Sequence, residues 1–169
     1  MAPAVNGTLY VLKAADAEPS VKGVVVTSSS LVFMDGKKLK PGMNVLNEEE
    51  IGDDSHVGPY PLSKFRAMKA AWEFFKEKER SFKMTMLHPS AILGPTRINV
   101  VNTSTAFVLL MLNGKFPACP AIEIPAIDVR DCGKLHALAM ENIDACNGES
   151  YVCSDRSLSF LELGITLHD

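Results

Sequence analysis

Three residues of this chain have the types and the spacing for proton transfer to a carbonyl oxygen: Ser29, Tyr60 and Lys64. Tyr60 and Lys64 lie four positions apart, so on a helix they share one face, a turn apart. A phenol titrates near ~10, and a neighbouring ammonium stabilises the phenolate and draws that value toward neutrality. Such a tyrosine acts as general acid toward a carbonyl, or as general base toward an alcohol. Ser29 belongs to the strand end Val24-Val25-Val26-Thr27-Ser28-Ser29-Ser30, where a hydroxyl can donate to the same oxygen as charge develops on it. Lys64 is also placed to hold a sugar hydroxyl. No side chain supplies a hydride, so the chemistry asks for a nicotinamide. Taken alone, Tyr-x-x-x-Lys is an ordinary helix surface and Thr-Ser-Ser an ordinary strand end; their joint order gives them weight.

The elements that must position these residues follow from pattern. Residues 3–15 read as a helix with Val5, Leu9 and Leu12 on one face and Pro3 in the first turn. Residues 22–28 follow as a strand, and the unbroken valine run predicts burial on both faces, as in a parallel sheet. Residues 35–58 form a polar connection whose Glu48-Glu49-Glu50 run reads as solvated. Residues 60–78 carry the longest helical pattern, with Leu62, Ala67, Ala70, Ala71, Phe74 and Phe75 on its apolar side. Residues 83–87 are a second strand, ending at His88-Pro89, and Gly94-Pro95 marks a break after it. A helix over 103–113, an extended stretch over 121–127, a helix over 129–142 capped by Asp128, a short strand over 149–153 and a helix starting at 160–163 complete the series. Helices alternating with buried strands argue for an α/β fold with a parallel sheet. Ligands of such sheets bind beyond the carboxyl ends of the strands, where both Ser29 and Pro89 fall.

Composition narrows the functional classes. The chain has 169 residues, 47% hydrophobic and 22% charged, enough for a real core. A net charge of -3 gives no basic footprint, which argues against nucleic acid as a partner. The longest apolar run, 106–112, is too short to span a bilayer. No secretory leader pattern opens the sequence. Cys119, Cys132, Cys146 and Cys153 show neither C-x-x-C nor zinc spacing. A reduced thiol set and a cytoplasmic location are expected. His56 reads as solvated, His88 as either turned toward the active-site side or capping a strand, Met84 and Met86 as core, and Trp72 as packing.

Four ordered motifs resemble the extended short-chain dehydrogenase/reductase superfamily. The likeness is to its dihydroflavonol reductase-like branch, within the NAD-dependent epimerase/dehydratase family. Tyr60-Pro61-Leu62-Ser63-Lys64, with Ala67, Ala70-Ala71-Trp72 and Phe74, resembles the branch's Y-x-x-S-K-x-x-A-E-x-A-A-W-x-F signature. Residues 89–95 resemble its P-x-x-x-x-G-P segment, which lines the nicotinamide. Pro3-Ala4-Val5-Asn6-Gly7-Thr8 with Val11-Leu12 resembles the helix before the serine strand, and Asp128-Val129-Arg130-Asp131 with His136-Ala137 a later motif.

The resemblance implies a partial Rossmann-like, doubly wound parallel sheet. Residues 1–96 would be the C-terminal half of an NAD(P)-binding domain. Residues 97–169 would be part of a small substrate-binding lobe, with 126–142 packing back on the Rossmann-like part. It implies an NAD(P)H-dependent oxidoreductase reducing a ketone or aldehyde, with NADP as cofactor and NAD as the alternative. Tyr60 would be the catalytic acid/base, Lys64 its partner and Ser29 the catalytic serine, with Ser28 as the fallback. Tyr60, Lys64, Pro89, Ile92 and Ser104 would contact the cofactor. No metal is implied, and the partner is a small carbonyl substrate. Sugar-nucleotide epimerases and dehydratases compete, but Pro61 replaces their glycine, and 91–95 lacks their Asn and Tyr. Three departures stand out. Met68 occupies a usual glutamate position and Tyr10 a usual asparagine. No G-x-x-G-x-x-G run occurs among the eleven glycines. The expectation is therefore a reductase fragment, weak or inactive alone, whose partner is a missing N-terminal half or an oligomer mate. A noncatalytic interaction role for the strand edge at Val24-Val25-Val26 is the alternative.

Overall fold

The structure is a computed structural model that describes residues 2–33, 48, 58–96, 100–116, 118 and 120–168. His56, Cys119 and most of the polar connection lie outside the described residues. In order the elements are α1 (Ala2–Ala17), β1 (Gly23–Thr27), a single 3-10 turn (Ser30–Val32), α2 (Pro59–Lys76), β2 (Lys83–Pro89), β3 (Ala91–Leu93), α3 (Thr103–Leu112), β4 (Glu123–Asp128), α4 (Val129–Glu141), α5 (Ile143–Cys146), β5 (Ser150–Cys153), β6 (Arg156–Ser159) and α6 (Phe160–His168). The chain divides into two compact units, Met1–His88 with Leu135–Val152, and Pro89–Lys134 with Cys153–Asp169.

In the first unit the sheet order is β1-β2-β5, with β1 and β2 parallel and Val25 opposite Thr85. Helices α1 and α2 pack together. Their buried residues Leu12, Ala15, Phe65, Met68 and Ala71 join Val32, Phe33, Phe82, Met84 and Met86 in one core. The α1 face predicted from Val5, Leu9 and Leu12 is the one turned inward. Each fully buried side chain of this size contributes about 1.5–3 kcal/mol. Arg80 ties the ends of α1 and α2 together. Its guanidinium bonds Asp16 at 2.9 Å, bonds the Phe74 carbonyl, and lies 3.7 Å over the Phe74 ring.

The valine strand departs from expectation. Val24, Val25 and Val26 are half-buried rather than buried. In the described sheet β1 is the outer strand and has one neighbour, β2. The apolar run is thus half covered, a surface that outer strands usually guard with charge.

In the second unit the sheet order is β3-β4-β6, parallel between β3 and β4 and antiparallel between β4 and β6. The segment read as a break after Pro89 contains β3, which pairs Ile92 with Ile127. Gly94 ends it at φ +125°, and a Cβ there would sit 3.0 Å from Val129 Cγ1. Gly94→Ala is therefore expected to cost about 1–3 kcal/mol, read as a lower urea midpoint at unchanged slope.

Candidate active site

Thr27 ends β1, and the Ser28 N–H still donates to the Leu87 carbonyl at 2.8 Å before Ser29 leaves in extended backbone. Ser29 (φ -158°, ψ 144°) caps the 3-10 turn, its Oγ accepting from the Leu31 N–H at 3.3 Å. A serine is favoured here because its oxygen satisfies one of the turn's free N–H groups. Its own O–H proton stays available to donate. Ser29 is 8% exposed. Ser28 differs: its Oγ is buried with no hydrogen-bond partner among the described residues.

Helix α2 starts where Gly58, at φ +94°, turns the chain and Pro59 occupies the first helical position. That places Tyr60 in the first turn, 54% exposed, and Lys64 one turn on. The Lys64 ammonium lies 6.0 Å from the Tyr60 ring centroid, and the Ser63 hydroxyl donates to the Tyr60 carbonyl at 2.7 Å. Helix α2 packs against the turn that Ser29 caps. Lys64 shares a cavity of about 200 Å³ with Thr27, Ser28, Thr8 and Met68. Lys64 thus faces the strand end, with Tyr60 beside it on α2. The serine that lines the Lys64 cavity is Ser28, while Ser29 lies next to it in the capping position. Met68 is in the core at 4% exposed, so the cavity wall is apolar at that position.

Two histidines flank the serines. Thr27 Oγ1 and His136 Nε2 are 2.8 Å apart. His88 is fully buried and meets the Phe33 ring edge-on at 4.8 Å between centroids. Burial pushes the His88 pKa down to about 4, opposed by the Ser29 main chain and the Glu48 carboxylate. Neither contact was read from sequence, although the spacing from Asp128 to His136 was a recognisable motif.

The remaining candidates belong to the second unit. Pro89 closes β2 and is buried, and Ile92 sits half-buried in β3. Ser104 lies in the first turn of α3, where Asn102 caps the helix by accepting from Thr105 N–H at 2.8 Å. It lines a cavity of about 240 Å³ walled by Phe107, Ile124, Ala126, Phe160 and Leu163. Among the described residues no basic side chain lines that cavity. Asp128 caps α4 as predicted, accepting from the Arg130 N–H at 2.7 Å. Its side-chain bonds from Arg130 hold the Asp128 carboxyl down to about 2.

The polar groups around β1's end fit the nicotinamide side of a dinucleotide. An unpartnered buried hydroxyl and an ammonium facing one cavity ask for oxygen acceptors, and both a carbonyl and sugar hydroxyls supply them.

The model of the NAD dependent epimerase/dehydratase family matches residues 1–154. A cinnamoyl-CoA reductase of Medicago truncatula is 36% identical over 148 residues, covering 85% of this chain and 44% of that protein. An NADPH-dependent methylglyoxal reductase of Saccharomyces cerevisiae is 34% identical over 160 residues, covering 82% of this chain and 46% of that protein. The crystal structure of yeast methylglyoxal/isovaleraldehyde reductase complexed with NADPH superposes with a TM-score of 0.80 at 29% identity, covering 93% of this chain and 51% of that one. The chain thus spans about half the length of the curated relatives it matches.

Proposed function

From the fact that the chain belongs to the NAD dependent epimerase/dehydratase family, we propose that it carries the proton-delivering side of an NADP(H)-dependent oxidoreductase. The reaction is reduction of a small ketone or aldehyde to an alcohol, with NAD(H) as the alternative cofactor. The supporting observation is the convergence at β1's end: Lys64 beside the Tyr60 ring, and Ser28 and Lys64 facing one cavity. Relatives named as NADPH-dependent reductases support the same reading.

In this mechanism the Tyr60 hydroxyl donates its proton to the carbonyl oxygen as the carbon is reduced. The Lys64 ammonium offsets the charge left on the phenol and binds sugar hydroxyls. Ser29 donates to the same carbonyl oxygen, with Ser28 beside it as a second hydroxyl. Pro89 and Ile92 would line the nicotinamide, and Ser104 would hold a sugar or phosphate oxygen of the cofactor. When bound, the reduced cofactor supplies the hydride. Residues 1–96 serve as the C-terminal half of the cofactor domain and 97–169 as part of the substrate lobe. We assign the activity to the cytoplasm. No helix among the described residues is long and apolar enough to cross a membrane, and the three described cysteines form no disulfide with one another, which suits a reducing compartment.

Residues 1–169 hold no glycine-rich turn leading into a helix start for the pyrophosphate. Calorimetric titration of these residues alone is expected to show no micromolar affinity for NADPH; micromolar binding would contradict this division of labour. The function itself is tested in a polypeptide that joins these residues to a strand, glycine-rich loop and helix. Small aldehydes or ketones should drive NADPH oxidation there, with the alcohol as product. Tight NADPH binding with no carbonyl-dependent oxidation would overturn the reading.

A further inference from the structure

His88 is 0% exposed at the carboxyl end of β2, beside the strand that delivers the serines. Its Nε2 lies 3.2 Å from Ser150 Oγ on β5. Its Nδ1 is buried with no hydrogen-bond partner among the described residues. A buried polar atom without a partner calls for an explanation. The ring reaches toward all three strands: it sits on β2, touches Ser150 of β5, and feels the main chain of Ser29 just past β1. The register sets His88 beside the serines: Thr27 pairs with Leu87, and the Ser28 N–H donates to the Leu87 carbonyl at 2.8 Å, so the carbonyl nearest the ring belongs to the Ser28-Ser29 segment.

We propose that His88 is a positioning residue for the Ser28-Ser29 segment, a neutral imidazole that accepts the Ser150 hydroxyl proton at Nε2 and presents its Nδ1 proton to the Ser29 carbonyl. The opposite tautomer would aim a bare nitrogen lone pair at that carbonyl and leave the ring with two acceptors facing each other. The Ser29 carbonyl already accepts from the Val32 N–H at 3.2 Å, and a carbonyl has a second lone pair for the ring. Phe33 fixes the ring plane edge-on, so the Nδ1 proton cannot swing elsewhere without breaking that packing. The charged group acting on the ring is the Glu48 carboxylate, which itself accepts from the Val152 N–H at 2.7 Å. Ser29 is thereby set through its main chain, while its hydroxyl, which accepts from the Leu31 N–H, keeps its own proton to donate. The catalytic meaning of this brace rests on the function proposed above; the state of the ring does not.

The first test needs no activity. Nitrogen-15 spectra of the His88 ring in the 169-residue chain are expected to show a neutral, Nδ1-protonated imidazole from pH 8 to pH 5. A proton on Nε2, or a charged ring at pH 6, would overturn the proposal. The second test uses the polypeptide that also carries a glycine-rich loop. His88→Phe keeps the ring packing but loses both nitrogens, and should lower kcat about ten-fold, the rate equivalent of one net hydrogen bond, with KM unchanged. His88→Asn keeps an N–H donor near the Nδ1 position and should restore much of that loss. Full kcat in a folded His88→Phe variant would make His88 packing alone. If Tyr60→Phe leaves turnover intact, the functional reading fails instead, and the nitrogen spectra alone decide the role of His88.

Discussion

Replacing Tyr60 with phenylalanine is expected to lower carbonyl-dependent NADPH oxidation by about 10²–10⁴-fold, the range that a positioned proton donor contributes. The change deletes one hydroxyl and little else. Tyr60 is 54% exposed in the first turn of α2, so no core contact is lost. The phenylalanine ring still lies beside the Lys64 ammonium, and the bond from Ser63 goes to the main chain. Stability should therefore stay within about 0.5 kcal/mol of the parent, as for surface changes away from special features. NADPH affinity should hold as well, because the sugar contacts assigned to Lys64 remain. Steady-state rates, urea unfolding and calorimetric titration of the same variant separate the three quantities. A loss of rate accompanied by an equal loss of binding or stability would assign Tyr60 a structural role.

The second large effect is on acid stability. His88 is neutral in the folded protein down to about pH 4, whereas an exposed histidine takes up its proton near 6.5. The unfolded chain therefore binds more protons than the folded one between these values, and stability falls as pH falls. Above pH 6.5 the contribution is fully present. It is lost at about 1.4 kcal/mol per pH unit through the window, for a total of about 3 kcal/mol by pH 4. Asp16, Glu18, Asp128 and Glu162, whose pKa values are lowered by folding, lose their contributions only as pH falls below ordinary carboxylate values. The two windows are thus separable. Urea unfolding at pH 7.5, 6, 5 and 4.5 should show the slope in the parent and a flatter curve in His88→Phe. An equal slope in both proteins would place the titrating group elsewhere.

Local pattern carried most of the elements. The face of α1, the long helix α2, the buried strand β2 and the Asp128 cap of α4 are each specified by neighbours within a few residues, and each was legible for that reason. Strand β6 was not. Arg156-Ser157-Leu158-Ser159 has weak strand character, and its antiparallel pairing with β4, remote in sequence, makes it a strand. The same holds for β3, where three residues before Gly94 pair with β4 although the glycine and proline after them read as a break. Burial of Val24, Val25 and Val26 was overestimated because a valine run reports what a strand wants to bury, not how many neighbours it finds.

At the site, the spacing of Tyr60 and Lys64 was enough to put them on one helical face. It could not reveal which of two adjacent serines turns toward Lys64, since that depends on where the chain leaves β1 and starts the 3-10 turn. Sequence offered His88 either to the active-site side or to a strand cap; its burial against Phe33 and its bond to Ser150 come from residues brought beside it by the fold.

The central claim is that these residues complete a net reduction rather than a transient oxidation of the kind an epimerase or dehydratase performs. The direct measurement is transfer of label from NADPH carrying deuterium at C4, with a small aldehyde or ketone, in the polypeptide that joins residues 1–169 to a glycine-rich loop. One deuterium should appear on the carbinol carbon for each NADPH consumed, and Tyr60→Phe should abolish the product. An unlabelled product, or turnover that leaves NADPH unconsumed, would contradict a reductase built on Ser29, Tyr60 and Lys64.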